Sequence, residues 1–305
     1  MAKKSGKKGF RWGVFVAVGS CVLVFFVFAG LVVSFFSGEK SFSGNVALIE
    51  VNGEISTSVG SLFSDIVSSG DVAGLIKDAE DDTFIKAIII SVNSPGGSPV
   101  GGEEIVRQIK QSNKPVVAFI RDVGASAGYW VASACDYVVA SPLSVVGSVG
   151  VRSDYFDFSG LLKEYNVSYV ALHSGEFKDS GNPFRIPRDD ELARLRGKTK
   201  IMHDYFVNDV ALNRNLSAVQ VDEIKKADFY VGLQAQELGL IDKLGGLPEA
   251  EAYIGGVLGI APEVVVFSSS ESFFDLFAGA FSGQSYAFGR GFGDALFRKD
   301  YLFAK

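Results

Sequence analysis

Two residue types that can do chemistry together stand out: a serine at a tight corner and a lysine in a polar, aromatic loop. Ser126 lies in "RDVGASAGYWVA" (121–132), just after the apolar run "VVAFI", with Gly124, Ala125, Ala127 and Gly128 around it. A nucleophile held where a strand turns into a helix has an exposed hydroxyl, and the N–H of the next residue faces the same space. Small neighbours leave room for a peptide carbonyl, although the same spacing also serves close helix–sheet packing. The pattern is not Gly-x-Ser-x-Gly, so the likeness to a hydrolase elbow is one of geometry only.

A serine hydroxyl is a weak nucleophile until a base draws off its proton. The usual base is histidine, and the chain has two in 305 residues, His173 and His203. Lys178, in "LHSGEFKDSGNPF" (172–184), is the other candidate. A lysine serves as a general base when burial lowers its pKa enough to leave it neutral; in a polar loop it is otherwise a solvated charge. Phe177 and Phe184 predict partial burial for it, whereas Asp179 opposes a lowered pKa if it pairs with Lys178. His173 lies five residues before Lys178, so a Ser-His pair stays open; for His203, in a charged helical stretch, packing is the better account. A third segment, "VNSPGGSP" (92–99), follows a buried run. Its glycines let backbone N–H groups approach a ligand, although Pro-Gly-Gly also makes plain turns. It lacks the Gly-Lys-Ser/Thr of a phosphate loop, and no metal motif or nucleotide cofactor is indicated.

The elements that must position these residues alternate. "VALIEVNGEI" (46–55) predicts a strand with a turn, and "DVAGLIKDAEDD" (71–82) a helix with Val72, Leu75, Ile76 and Ala79 on one face. "KAIIISVN" (86–93) is a continuous β-branched run, expected for a strand buried on both sides. "VVAFI" (116–120), "DYVVA" (136–140) and "VSYVAL" (167–172) predict further strands, with a helix at "DFSGLLKEY" between the last two. From Arg188 to Val221 the chain is charged and helical. This rhythm implies an α/β fold with a mostly parallel sheet and flanking helices.

With 48% apolar and 21% charged residues the chain can bury a sizeable core. The formal net charge is −6, and five positive charges precede residue 12, so the remainder carries −11, which argues against a nucleic-acid-binding body. Cys21 and Cys135 lie on separate segments and suggest neither a disulfide framework nor a metal site. Trp12–Phe36 contains no charge and exceeds the roughly 20 residues needed to cross a bilayer. It is longer than a signal-peptide core, so it reads as a retained single-pass transmembrane helix. The basic segment 1–11 holds its start in the cytoplasm, and everything after Ser37 lies outside. The expected organisation is a cytoplasmic segment 1–11, an anchor 12–36, a linker 37–44, a catalytic domain 45–267 and a Phe/Gly/Ser-rich tail 268–305. That tail is expected to be poorly ordered or an assembly arm.

Taken together, the anchor, "NSPGG", "GASAGYW", "GSVGV", "SGEFKDSGNPF" and "GLQAQELGLIDKLGG" resemble the short bacterial form of the signal peptide peptidase A (SppA) family, from about Val46 to Gly246. The resemblance implies a Clp-protease/crotonase-like fold and a Ser-Lys dyad, with Ser126 as nucleophile and Lys178 as general base. It implies that Ser148, in "GSVGV", orients the lysine amine and that the N–H groups of Gly97 and Ala127 form the oxyanion hole. Ala127 stands where many relatives carry glycine, which narrows the space beside the nucleophile. The resemblance further implies a homo-oligomer whose dyad meets across protomers, at the outer face of a bacterial inner membrane. The implied substrates are remnant signal peptides. The competing readings are a same-clan protease acting on another membrane protein, a crotonase-type acyl-CoA enzyme and an inactive membrane scaffold.

Overall fold

The computed structural model describes residues 25–27, 44–58 and 66–268. The anchor Trp12–Phe36 therefore lies outside the described residues apart from 25–27, which are helical, and the tail 269–305 lies outside them entirely. Among the described residues no helix is long and apolar enough to cross a membrane.

The body from residue 44 onward is built on a sheet whose centre is the run of isoleucines. Strand β1 (Val46–Asn52) pairs in parallel with β4 (Ala87–Ser94), and β4 pairs in parallel with β5 (Val116–Ala125). Ile88, Ile89 and Ile90 are 0% exposed, as expected where helices cover both faces of a parallel sheet. Successive side chains alternate faces. Ile89 joins Val46, Val117 and Val139 in a core closed by Ala250 and Ile254 of helix α8 (Leu247–Leu258). Its neighbours Ile88 and Ile90 point the other way. Each such side chain contributes about 1.5–3 kcal/mol by leaving water. The sheet continues through β6 (Tyr137–Ala140) to β9 (Lys243–Leu244) on one side and ends at β10 (Val264–Phe267) beyond β1 on the other.

The turn expected after Val51 is present. Gly53 takes φ 91° between β1 and β2 (Glu54–Ser56), and β2 pairs with β3 (Ile66–Ser68). Helix α1 (Ser69–Asp81) is capped by Ser68 and buries Val72, Ile76 and Ala79, with Leu75 half-buried. Helix α2 (Pro99–Lys110) starts with Pro at its first position and Ser98 as cap, its hydroxyl accepting from the Gly101 N–H. Helix α3 (Ala127–Ser133) is entirely buried; its Tyr129 donates to the Leu240 carbonyl at 2.8 Å. Thus β5 does become a helix at Ser126.

Two strands finish the sheet where β5 ends. Past a register shift after Val92, residues 123–125 of β5 pair with β7 (Val145–Gly147). β7 pairs antiparallel with β8 (Phe229–Val231), which leads into α7 (Gly232–Glu237). This is the one antiparallel pairing in the described main sheet.

Residues 151–188 depart from the expected pattern. Helix α4 (Ser159–Glu164) forms, but it buries none of its residues. "VSYVAL" forms no strand: residues 167–172 are irregular, with Val167, Tyr169 and Val170 exposed and Leu172 95% exposed. A strand needs a neighbour to accept its ladder of hydrogen bonds, and none of the described strands lies beside it. Helix α5 (Asp189–Asn213) then shows two characters. Its second half buries Phe206, Val207 and Val210, with the Phe206 ring tilted against Trp130 at 4.7 Å. Its first half buries only Glu191. Helix α6 (Ala218–Ile224) follows.

Candidate active site

Parallel sheets present their ligand sites at the carboxyl ends of the strands, and three such ends converge on Ser126. Gly124 is in register with Ser94 at the end of β4, and Ala125 with Gly147 at the end of β7. The half-buried Ser126 follows at once, with φ 51° and ψ −126°. A non-glycine residue there costs about 1–3 kcal/mol of backbone strain and persists only when its surroundings fix it. They do so at both ends. The Ser126 N–H donates to the Gly147 carbonyl at 2.8 Å, and the Ser126 carbonyl accepts from the Trp130 N–H at 2.9 Å. The Ser126 side chain itself makes no capping hydrogen bond, so its hydroxyl is left for another partner.

The glycine loop lies against this corner. Gly96 has φ 110°, and a Cβ added there would stand 2.7 Å from the Ser126 Cβ and 3.0 Å from the Ala127 nitrogen. At Gly97, with φ 146°, a Cβ would fall 2.1 Å from the Ile55 carbonyl oxygen. Neither position admits a side chain. The loop is shaped by groups that sequence reasoning did not single out. The buried Ser94 hydroxyl accepts from the Gly96 N–H at 3.1 Å. Ile55 of β2 donates its N–H to the Gly96 carbonyl at 2.8 Å, and its carbonyl accepts from the Ser98 N–H at 2.7 Å. Serine two residues before a turn glycine is a local signal that could have flagged Ser94; nothing local marks Ile55. The Ala127 N–H opens α3, where no intrahelical acceptor exists for it. The two N–H groups expected to form an oxyanion hole thus border Ser126: Ala127 follows it, and Gly97 is next to the residue that touches it.

Ser148 occupies a second corner of the same kind, with φ 52° after Gly147 at φ 103°. Its N–H donates to the Asp228 carbonyl at 2.8 Å, so the residue just before β8 holds this corner in place. The Ser126 N–H to Gly147 bond joins the two corners directly. Ser126, Ser148, Gly97 and Ala127 are therefore brought together within one chain.

Lys178 is not brought to them. It is exposed, its N–H donates to the Gly175 carbonyl within its own turn, and its amine makes no hydrogen bond or ion pair among the described residues. The expectation that Phe177 and Phe184 bury it fails in the single chain, because both rings are engaged elsewhere. The Arg194 guanidinium stacks on Phe177 at 3.9 Å, with Arg188 at 5.4 Å, and Phe184 packs on Tyr169 and Phe158. Nor does Asp179 pair with Lys178. Its carboxylate accepts from Arg185 Nε at 2.6 Å and from Asn182 Nδ2 at 2.6 Å. The Arg185 hydrogen bond is the main cause holding the Asp179 carboxyl below its ordinary range.

The histidines do no better as partners of Ser126. His203 Nε2 lies 3.1 Å from the Val149 carbonyl, which accepts its proton, so His203 packs α5 beside the Ser148 corner. The exposed His173 bonds the Gly175 carbonyl in its own loop at 3.3 Å. Neither ring hydrogen-bonds Ser126 among the described residues. Cys135 is buried and free, and burial pushes its thiol well above the ordinary range, so it is no rival nucleophile.

Residues 108–254 match peptidase family S49. The chain is 32% identical over 226 residues to a Methanocaldococcus jannaschii protein named as a protease, covering 73% of this chain and 72% of that one. It is 30% identical over 213 residues to protease 4 of Haemophilus influenzae, covering 67% of this chain but only 33% of that protein. It is also 30% identical over 212 residues to an Enterococcus faecium protein named as signal peptide peptidase SppA, covering 68% of this chain and 62% of that one.

Proposed function

The chain belongs to peptidase family S49 and is a serine peptidase; from that premise we propose that Ser126 is its nucleophile and Lys178 its general base. We take it to be a membrane-anchored endopeptidase that degrades remnant signal peptides. The observation that carries this reading is the strained, open corner at Ser126, walled by glycines on which no side chain fits.

Catalysis runs as acyl transfer. Neutral Lys178 takes the Ser126 proton as the hydroxyl oxygen attacks the scissile carbonyl. The negative charge that develops is met by the N–H groups of Ala127 and Gly97. Donors of this type, fixed before the reaction begins, are each worth about 2.7–4 kcal/mol. Protonated Lys178 then donates to the leaving amine, and on deacylation it takes a proton from the attacking water. Ser148 accepts from or donates to the amine and keeps it aimed.

The amine comes from a second copy of the chain. Lys178 sits on a segment that packs on itself and on the exposed half of α5, and that segment displays Phe156, Val170, Leu172 and Ile186 to solvent. In a homo-oligomer these apolar groups are covered, and the cover strips Lys178 of water as a neutral amine requires. The domain scheme follows the sequence: a basic cytoplasmic start, an anchor over 12–36, a linker, the catalytic body at the outer face of the inner membrane and a tail from 268. Remnant signal peptides suit that location, and the likeness to the Enterococcus faecium protein supports them as substrates.

A fluorophosphonate probe tests the reading on the full chain in detergent. Wild-type chain labels at Ser126 and Ser126→Ala does not. Lys178→Ala labels at least a thousandfold more slowly. Labelling of Lys178→Ala at the wild-type rate would remove lysine from the mechanism.

A further inference from the structure

Beside the proposed base, the chain places a carboxylate and then occupies it completely. Asp179 follows Lys178, and in an open turn two adjacent side chains of opposite charge can meet. Such a pair favours the charged lysine, which is the form that cannot act as a base. Arg185 intervenes. Its Nε donates to the Asp179 carboxylate at 2.6 Å, one terminal nitrogen donates to the Asp179 carbonyl at 2.7 Å, and both terminal nitrogens donate to Glu191 at 2.5 and 2.8 Å. Glu191, only 1% exposed, also accepts from the Arg188 N–H at 2.9 Å and from the Ser180 hydroxyl at 3.4 Å. The turn after Lys178 is therefore stapled to the first turn of α5 through one guanidinium. The charged groups around it are His173, Glu176, Arg185, Arg188, Glu191 and Arg194. Of these, only Arg185 hydrogen-bonds Asp179.

We infer that Arg185 is a positioning residue for the peptidase reaction: by sequestering the Asp179 carboxylate, it keeps Lys178 free of an ion pair that would hold it protonated. The inference rests on Lys178 being the base, and it predicts an effect that a purely architectural arginine would not have. Removing Arg185 releases Asp179 to pair with Lys178, and the activity shifts to higher pH. Removing Asp179 as well cancels the shift, even though the turn has then lost more of its bonds.

The test is the pH dependence of fluorophosphonate labelling of Ser126 in the full chain. In wild type the rate rises with pH as Lys178 loses its proton. In Arg185→Gln the rising limb moves up by about one pH unit, so labelling on the limb falls about tenfold. In the double variant Arg185→Gln/Asp179→Asn the limb returns to its wild-type position, and Asp179→Asn alone leaves it unmoved. Arg185→Lys, which keeps a cation for Asp179, shifts it less than Arg185→Gln. An unmoved limb in Arg185→Gln overturns the inference. So does a limb that stays shifted in the double variant, or loss of labelling at every pH in both, which marks a structural role. Wild-type labelling by Lys178→Ala instead overturns the dyad, and this inference with it.

Discussion

The Ser126 corner and the Lys178 segment are built on opposite principles. The corner is over-determined. Two neighbouring strand ends, a glycine loop and a buried helix fix the Ser126 backbone, and the strain is held by 2.8–2.9 Å backbone bonds. The lysine segment has only turn-type backbone bonds and is held chiefly by side chains: Arg185 with Asp179 and Glu191, two guanidiniums on Phe177, and Phe184 on its aromatic neighbours. A nucleophile demands a rigid address, because its attack trajectory tolerates little error. A base can be delivered.

The contrast breaks most completely if one chain suffices for catalysis. Ser126→Ala and Lys178→Ala each lose at least a thousandfold in peptide cleavage, yet mixing the two inactive proteins restores measurable turnover, because some junctions unite an intact serine with an intact lysine. Restoration after mixing and co-refolding is read by cleavage of a quenched fluorescent peptide; its absence places both groups in one chain. Next in size is Gly96→Ala. The added Cβ must displace the Ser126 Cβ, 2.7 Å away, so kcat/KM falls about 100–1,000-fold, a larger relative loss than the shift in melting temperature would suggest.

Two smaller effects sharpen the comparison. Ile89→Val, in the core closed by α8, costs about 0.5–1.5 kcal/mol of stability by denaturant titration and leaves the acidic limb of the pH profile where it was. Acid should loosen the lysine segment first. Hydrogen bonds from Arg185, and then from the Arg188 N–H, pull the Glu191 carboxyl from 4.5 down to about 2. A depressed carboxyl stabilises the folded segment above its unfolded pKa, and that contribution is lost as pH falls from there through the folded value. Protection of the amides at 178–191, taken relative to the intrinsic exchange rate at each pH, therefore falls between pH 4.5 and 2, and does so before β4 loses protection. Least of all, Lys110→Ala removes an ion pair to Asp209 in which the Lys110 side chain is 41% exposed, and changes stability by no more than about 0.5 kcal/mol.

The same division governs what the sequence makes legible. Ile88–Ile90 read as a doubly buried strand because β-branched side chains without alternation have few other uses, and Ser126 reads as a corner because only small residues flank it. Both signals are local and are satisfied within the chain. Residues 167–172 mislead for a related reason. Val167, Tyr169, Val170 and Leu172 look like a strand and a core, but apolar pattern reports a need for cover without saying which molecule meets it. Phe177 and Phe184 mislead similarly: aromatic rings beside Lys178 suggest its burial, yet Phe177 is claimed by two arginines and Phe184 by Tyr169 and Phe158. Arg185 carries no spacing rule at all, since a side chain that folds back six residues across an irregular turn follows no helical or strand period. Ile55 reaches Gly97 from more than forty residues away, through topology alone.

The exposure of Lys178 has a consequence for safety. On the proposed arrangement, in which a second copy supplies the base, a freshly made chain with its Lys178 amine exposed is a latent enzyme until another copy joins it. Dilution should silence it and crowding awaken it, so that proteolysis begins only where enough copies have gathered.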